Sequence, residues 1–224
     1  MPPLSRPGKI VCVGRNYREH ARELGNEVPV EPLLFFKPPS SVIGDGAAIV
    51  LPAVSTQVEH EAEIGVVVGR PLRDAGEDEA REAVQALVAL NDVTARDLQG
   101  VHKQWLLGKG IDGFCPMGPW IVTADELDAA AMRVSCTVNG EARQDAVTAD
   151  LIFDIPTLIE TISLSMALLP GDVIATGTPE GVGIGFRPPR FLRDGDVVEC
   201  AIEGIGRIRN TVRKVEAAAL RGAA

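Results

Sequence analysis

The sequence predicts a single α+β domain in which strands outnumber a few short helices. Three observations carry this: apolar runs of strand character recur from Lys9 to Val215, stretches with helical period are short, and no regular strand-helix alternation, internal repeat or Ser/Gly linker divides the chain. At 224 residues the chain is long enough to bury about 70% of the surface its unfolded form exposes.

The amino end reads as a strand, Lys9 to Val13, followed by RNYREHARELG, where Tyr17, Ala21 and Leu24 recur at helical spacing. Asn16 is placed to cap that helix with Glu19 three residues on, and Gly25 supplies the stop, so residues 16 to 24 form a short helix. A polar, Pro-rich stretch leads to LLFFKPPSSVIG and then LPAVSTQVEHEAEIGVVVG, extended chain ending in a buried strand from Glu61 to Val68. Asp78 to Leu90, with Ala80, Val84, Leu87 and Val88 on one stripe, is expected as an amphipathic helix. Asn91 to Pro119 has no sustained period and is rich in Gly, which predicts a long functional loop. MRVSCTVNGEARQDA supplies two strand-like runs around Asn139-Gly140, the dipeptide favoured in type I′ hairpins. Pro156 to Met166 is a second helix with Asp154 near its start, and Pro170-Gly171-Asp172 is a turn. GDVIATG and GDVVECAIEGIGRIRNTVRKV return to strands.

Acidic residues number 31 against 22 basic ones, a formal net charge of −9, and the basic residues are scattered. The attraction to phosphate backbones on which nucleic-acid binding relies is missing, so no nucleic-acid partner is expected. No run approaches the ~20 apolar residues of a membrane-spanning helix, so no membrane partner is expected either. Cys12, Cys115, Cys136 and Cys200 form no C-x-x-C pair, and MPPLSRPGKI lacks an apolar h-region. A reducing, cytoplasmic location follows as the expectation.

The sharpest chemical anomaly is Glu61-Ala62-Glu63 running straight into IGVVV. Alternate strand residues share a face, so the two carboxylates project together from a segment that is about to enter the core. Close carboxylates in a drying environment resist ionisation unless a cation or protons intervene, and oxygen ligands favour Mg²⁺ or Mn²⁺. Asp92, in LNDVTARD, is the best-placed third ligand. The same spacing also describes a strand whose first acids remain in water, and Glu59 alternates onto the same face.

His20 and Glu23 lie three apart on the first helix and share a face, as a carboxylate-oriented general base would, or as two solvated side chains would. Lys109 sits between Gly108 and Gly110, either a solvated loop lysine or an ammonium able to meet a developing oxyanion. TGTPEGVGIG matches neither G-x-x-x-x-G-K-[ST] nor G-x-G-x-x-G, which disfavours nucleotide binding. His60 and His102 read as ordinary satisfied or exposed imidazoles.

In this order, VGRNYREHARELG, LFFKPPSSVIG, HEAEIGVVVG, NDVTARDLQ, GKGIDGFCPMGPWIV, VNGEARQ, PGDVIATGTPEGVG and IEGIGRIRN resemble the fumarylacetoacetate hydrolase superfamily. The resemblance is closest to its single-domain, acylpyruvase-like and hydroxyheptadienedioate isomerase-like branch. It implies a mixed β-sandwich roll, usually a homodimer, with Mg²⁺ or Mn²⁺ held at the mouth of the roll by Glu61, Glu63 and Asp92. It places a His-Glu dyad on His20 and Glu23 of a lid helix, the substrate lysine on Lys109, and substrate contacts on Gln99, Thr178 and Arg15. The implied activity is cleavage of a C–C bond in small 2-oxo or 2,4-dioxo acids, by acylpyruvate hydrolysis or oxaloacetate decarboxylation. The alternative is isomerisation or decarboxylation of a 2-hydroxyhepta-2,4-diene-1,7-dioate. One domain spans the chain, and a flexible tail is expected from about residue 216.

Overall fold

Strand β1 (Ile10–Gly14) begins a chain that the computed structural model describes over residues 1–4, 6–101 and 104–214. The expected tail from 216 and His102 lie outside the described residues. Helix α1 (Arg18–Glu23) follows β1, then β2 (Leu33–Lys37) folds back along it, and three short strands come next, β3 (Val42–Ile43), β4 (Ile49–Leu51) and β5 (Val58–Glu59). β6 (Ala62–Val68), α2 (Glu77–Glu82), β7 (Val84–Asn91) and β8 (Thr94–Ala95) lead to two short helices, α3 (Arg96–Val101) and α4 (Leu106–Lys109). The second half holds β9 (Cys115–Thr123), β10 (Arg133–Val138), β11 (Glu141–Val147), α5 (Ile155–Ser165), β12 (Val173–Ala175), β13 (Val197–Ile202) and β14 (Gly206–Lys214).

Seven strands form one mixed sheet in the order β2-β1-β12-β6-β7-β9-β3, five form a second, β11-β10-β13-β14-β4, and β5 pairs with β8. The strand-dominated α+β class read from the sequence is the one observed. Successive residues of β6 explain its unbroken apolar run. Ala62, Ile64, Val66 and Val68 face a core shared with Val198, Cys200 and Ile202 of the second sheet, while Val67 faces another cluster with Ile10, Cys12 and Leu90. A strand covered on both faces has no polar side to show.

The expected helix from Asp78 to Leu90 is formed only as far as Glu82. Residues 77–82 make a short helix, and the chain then becomes β7, a central strand between β6 and β9. Its Leu87 and Ala89 enter one core, while Ala86, Val88 and Leu90 enter the other. A strand that is apolar on both faces satisfies any periodic template, so pairing with two neighbours overrides the helical stripe. Asp92 therefore follows a central strand instead of a helix. Nor is Asn91 to Pro119 a plain loop, since it carries β8, α3, α4 and the start of β9.

Asn16 is not the cap of α1, whose flanking residue is Tyr17. The Asn16 amide instead donates to the carbonyls of Phe153 (3.0 Å) and Thr176 (2.8 Å) and accepts from the Phe153 N–H (2.8 Å), tying β1 to two distant segments. Asp154 does cap α5, accepting from the Thr157 N–H at 3.0 Å. The Asn139-Gly140 turn between β10 and β11 has φ of 55° and 78°, the two positive values a type I′ hairpin requires. No helix among the described residues is long and apolar enough to cross a membrane.

Candidate metal centre and active site

The β6–β7 register sets Ala62 opposite Asn91, and the Asp92 N–H donates to the Glu61 carbonyl at 2.8 Å. Glu61 and Asp92 are thereby held across from one another at the strand ends, with Glu63 two residues into the sheet. Oxygens of the three carboxylates lie within 4.8 Å of one another, and all three residues are buried. Burial, then the neighbouring Asp92 and Glu61, push the Glu63 carboxyl well above the usual carboxylate range. Burial alone would also raise Glu61, but Lys109, Arg96 and His20 outweigh it and bring that carboxyl down to about 2. Three buried acids with only oxygen donors suit a hard divalent cation, so the residues present fit Mg²⁺ or Mn²⁺.

Cations surround this triad. Lys109, at the end of α4 and fully buried rather than solvated, donates to Glu61 Oε2 (2.7 Å) and Asp92 Oδ2 (2.6 Å). Burial would lower its pKa, yet Asp92 and Glu61 hold it above the usual lysine range. Gly108 lets α4 approach so closely, because a Cβ there would stand 2.6 Å from the Gln99 N and 2.8 Å from the Ala95 carbonyl.

Two further cations are ones that pattern reasoning did not single out. Lys37, the last residue of β2, donates to Asp92 Oδ1 (2.5 Å) and the Val93 carbonyl (3.1 Å) with its side chain wholly buried. The sequence signal was a lysine closing the apolar run LLFF. Arg96 donates through Nη2 to Glu61 Oε1 (2.5 Å), through Nη1 to Gln99 Oε1 (2.5 Å) and through Nε to Glu59 Oε1 (2.7 Å). Glu59 thus faces Arg96 and stands outside the three-carboxylate cluster.

Above the triad, His20 is buried on α1 with its Nδ1 3.4 Å from Glu23 Oε2. The other Glu23 oxygen accepts from the Gly181 N–H at 2.9 Å. The Thr178 hydroxyl donates to the Ala62 carbonyl (2.9 Å) and accepts from Gln144 Nε2 (2.7 Å). Arg15 holds a left-handed backbone, φ 57°, with its guanidinium 5.8 Å from the Trp105 ring centroid. Burial and the nearby Arg96 lower its pKa. A cavity of about 270 Å³ is lined by Arg15, His20, Glu61, Glu63, Gln99 and Lys109, and by Thr178. Asp92 stands behind Lys109 and Glu61, and Glu23 behind His20, so all nine sequence-predicted residues converge on one place. His60 is buried beside the site, bonded through Nε2 to the Gly181 carbonyl (3.1 Å) with Nδ1 unpartnered.

The fumarylacetoacetate (FAA) hydrolase C-terminal family matches residues 9–213. The chain belongs to this family. It is 44% identical over 215 residues to the oxaloacetate tautomerase YisK of Bacillus subtilis (strain 168), an alignment covering 94% of this chain and 71% of the relative. The solved structure of a 5-carboxymethyl-2-hydroxymuconate delta-isomerase from Mycobacterium smegmatis superposes with a TM-score of 0.85 at 43% identity, over 96% of this chain and 82% of that one. A 2-hydroxyhepta-2,4-diene-1,7-dioate isomerase from Mycobacterium marinum gives 0.84 at 40% identity, over 95% and 77%. The fumarylacetoacetate hydrolase fold accounts for the mixed sheets and short helices, and its named relatives here are enzymes.

Proposed function

We propose that the chain is a divalent-metal-dependent enzyme of small 2-oxo or 2,4-dioxo acids that cleaves a C–C bond, by acylpyruvate hydrolysis or oxaloacetate decarboxylation. The observation that carries this is the convergence of the Glu61, Glu63 and Asp92 carboxylates, the Lys109 ammonium and the His20-Glu23 pair on one cavity of about 270 Å³. That volume suits an acid of a few carbons. Glu61, Glu63 and Asp92 would hold Mg²⁺ or Mn²⁺, which supplies Lewis acidity toward the carboxylate and 2-oxo oxygens of the substrate.

The residues divide the remaining work by charge. Lys109 and the Gln99 amide meet negative charge as the 2-oxo group enolises, in a buried setting where such donors are worth more than in water. His20, oriented by Glu23, takes a proton from the water that attacks the distal carbonyl of an acylpyruvate, releasing a carboxylic acid and pyruvate. Decarboxylation of oxaloacetate needs no attacking water, only charge stabilisation and a proton returned to carbon. Arg15 at the cavity wall contacts the distal end of the substrate, and Thr178, whose hydroxyl proton is taken by the Ala62 carbonyl, lines the wall at its near end.

The names of the relatives support a second reading, in which the same groups move a proton between carbon and oxygen without breaking a C–C bond, as in tautomerisation or dienoate isomerisation. A panel of 2-oxo and 2,4-dioxo acids assayed with and without Mg²⁺ separates the two. Release of pyruvate and acid from an acylpyruvate, dependent on Mg²⁺, is the expected result, and enol-to-keto conversion with no C–C cleavage in any panel member would establish the second. A homodimer, the assembly we propose from the family resemblance, is checked by light scattering.

A further inference from the structure

One motif enters that chemistry only through its first residue, Thr178. The Gly-rich segment TPEGVGIGF, residues 178 to 186, runs between the lid helix and the strand leading into the metal ligands, and it donates two backbone N–H groups to two different carboxylates. The Gly181 N–H goes to Glu23 of the lid at 2.9 Å, and the Ile184 N–H goes to Glu59 Oε2 at 2.7 Å. Two glycines make these approaches feasible. A Cβ on Gly185 would run into the Glu23 carboxylate, and one on Gly183 would stand 3.0 Å from both Cβ and Oε2 of Glu59 and 2.6 Å from the Arg190 carbonyl.

Glu59 itself is fully buried and does not line the cavity. Its Oε1 accepts from Arg96 Nε and Nη2, and Arg96 also reaches Gln99 Oε1 through Nη1 and Glu61 Oε1 through Nη2, both at 2.5 Å. A continuous set of bonds therefore leads from the lid carboxylate through residues 181 to 184 to Glu59, and from there through Arg96 to a substrate-contact glutamine and a metal-ligand glutamate. The ion pair with Arg96 uses Oε1 and leaves Oε2 to be satisfied by another donor. The Oε2 bond satisfies the second buried oxygen and in doing so ties the Gly-rich segment to the carboxylate that holds Arg96.

We propose that Glu59 is a positioning residue that couples seating of helix α1 on the Gly-rich segment to the alignment of Arg96 against Gln99 and Glu61. The lid then does more than cover the cavity, since its closure fixes the segment that aims Arg96 from behind. This rests on the proposed reading of the site for its kinetic arm only; the structural arm is independent of which reaction is run.

The decisive variant is Glu59→Asp in the full chain with Mg²⁺, because a carboxylate one methylene shorter keeps its charge beside Arg96 but cannot span to the Ile184 N–H as well. Hydrogen exchange at the amides of residues 18 to 24 is expected to quicken roughly tenfold, the equivalent of one lost hydrogen bond. With oxaloacetate, kcat is expected to fall by a similar factor with KM nearly unchanged, because the geometry of reaction suffers more than binding. A cycle with Glu23→Gln is expected to be non-additive, the double variant losing no more than the worse single one. Gly183→Ala, which forces the segment and the Glu59 side chain apart while keeping both Glu59 and Arg96 in the chain, should reproduce the exchange effect and decides the matter if Glu59→Asp does not fold. Unchanged exchange in α1 in the variant that folds, or losses that simply multiply in the double variant, would overturn the coupling and leave Glu59 a structural counter-ion. A wild-type chain inactive on every 2-oxo acid would sink the proposed function while the exchange result still judged the coupling.

Discussion

Replacing Lys37 by Met tests how the charge of the site is balanced. The Lys37 side chain is wholly buried and donates to Asp92 Oδ1 and the Val93 carbonyl. Removing one partner of a buried ion pair costs about 3 to 5 kcal/mol, because the other charge stays in a poor solvent. Here Asp92 keeps Lys109 on its second oxygen at 2.6 Å, which argues for the lower end, about 3 kcal/mol. For a chain of this size each kcal/mol shifts Tm by roughly 2 to 4 °C, so metal-free Lys37→Met should melt about 6 to 12 °C below wild type. Mg²⁺ at 100 times its Kd adds about 2.7 kcal/mol to any form that binds it. In the variant a divalent ion has one cation fewer to compete with at Asp92, so its added stability should be larger, and the Tm gap should narrow. Scanning calorimetry of both proteins across a Mg²⁺ titration reads this directly. A gap that widens with Mg²⁺ would refute the charge-balance argument and show that Lys37 serves to orient Asp92 for the metal.

Glu61→Ala, Glu63→Ala and Asp92→Ala should each lose Mg²⁺ affinity and activity together, read by calorimetric titration beside the turnover assay; full affinity in any one removes that residue from the ligand set. His20→Ala and Glu23→Ala should slow acylpyruvate hydrolysis by about 10² or more, and oxaloacetate decarboxylation less, since only the former needs an activated water. Equal losses would mean that the pair acts by closing the lid. Burial lowers the His60 imidazole from its ordinary value to about 4. As pH falls below 6.5 the unfolded chain takes the proton first, so stability declines from pH 6.5 to about 4 by up to about 3 kcal/mol. Urea midpoints at pH 7 and pH 5 should differ less in His60→Gln than in wild type, and an identical pH dependence in both would show that the folded imidazole titrates normally.

What could be seen in the sequence was what strand alternation and helix spacing bring together locally. Glu61 and Glu63 are two apart at the start of a strand, and His20 and Glu23 are three apart on a helix, so each pair shares a face before any tertiary structure is known. What could not be seen was contact made across the fold. Lys37 meets Asp92 across 55 positions and Arg96 meets Glu59 across 37, and nothing in either neighbourhood marks the partner. Asn16 carries the local chemistry of a helix cap, yet bonds 137 and 160 positions away claim its amide instead. The mistaken helix at 78 to 90 has the same origin. Its side chains satisfy a helical stripe only because a strand buried on both faces is apolar at every position, and the two neighbouring strands that bury it lie outside any local window. The same partition holds within the site itself. Groups that would touch substrate or metal come from short, recognisable segments, whereas Lys37 and Glu59 are placed by strand pairing and the 181 to 184 backbone by its bonds to Glu23 and Glu59. A reading of motifs alone therefore names residues that converge on one cavity and misses the frame that sets their charge and direction.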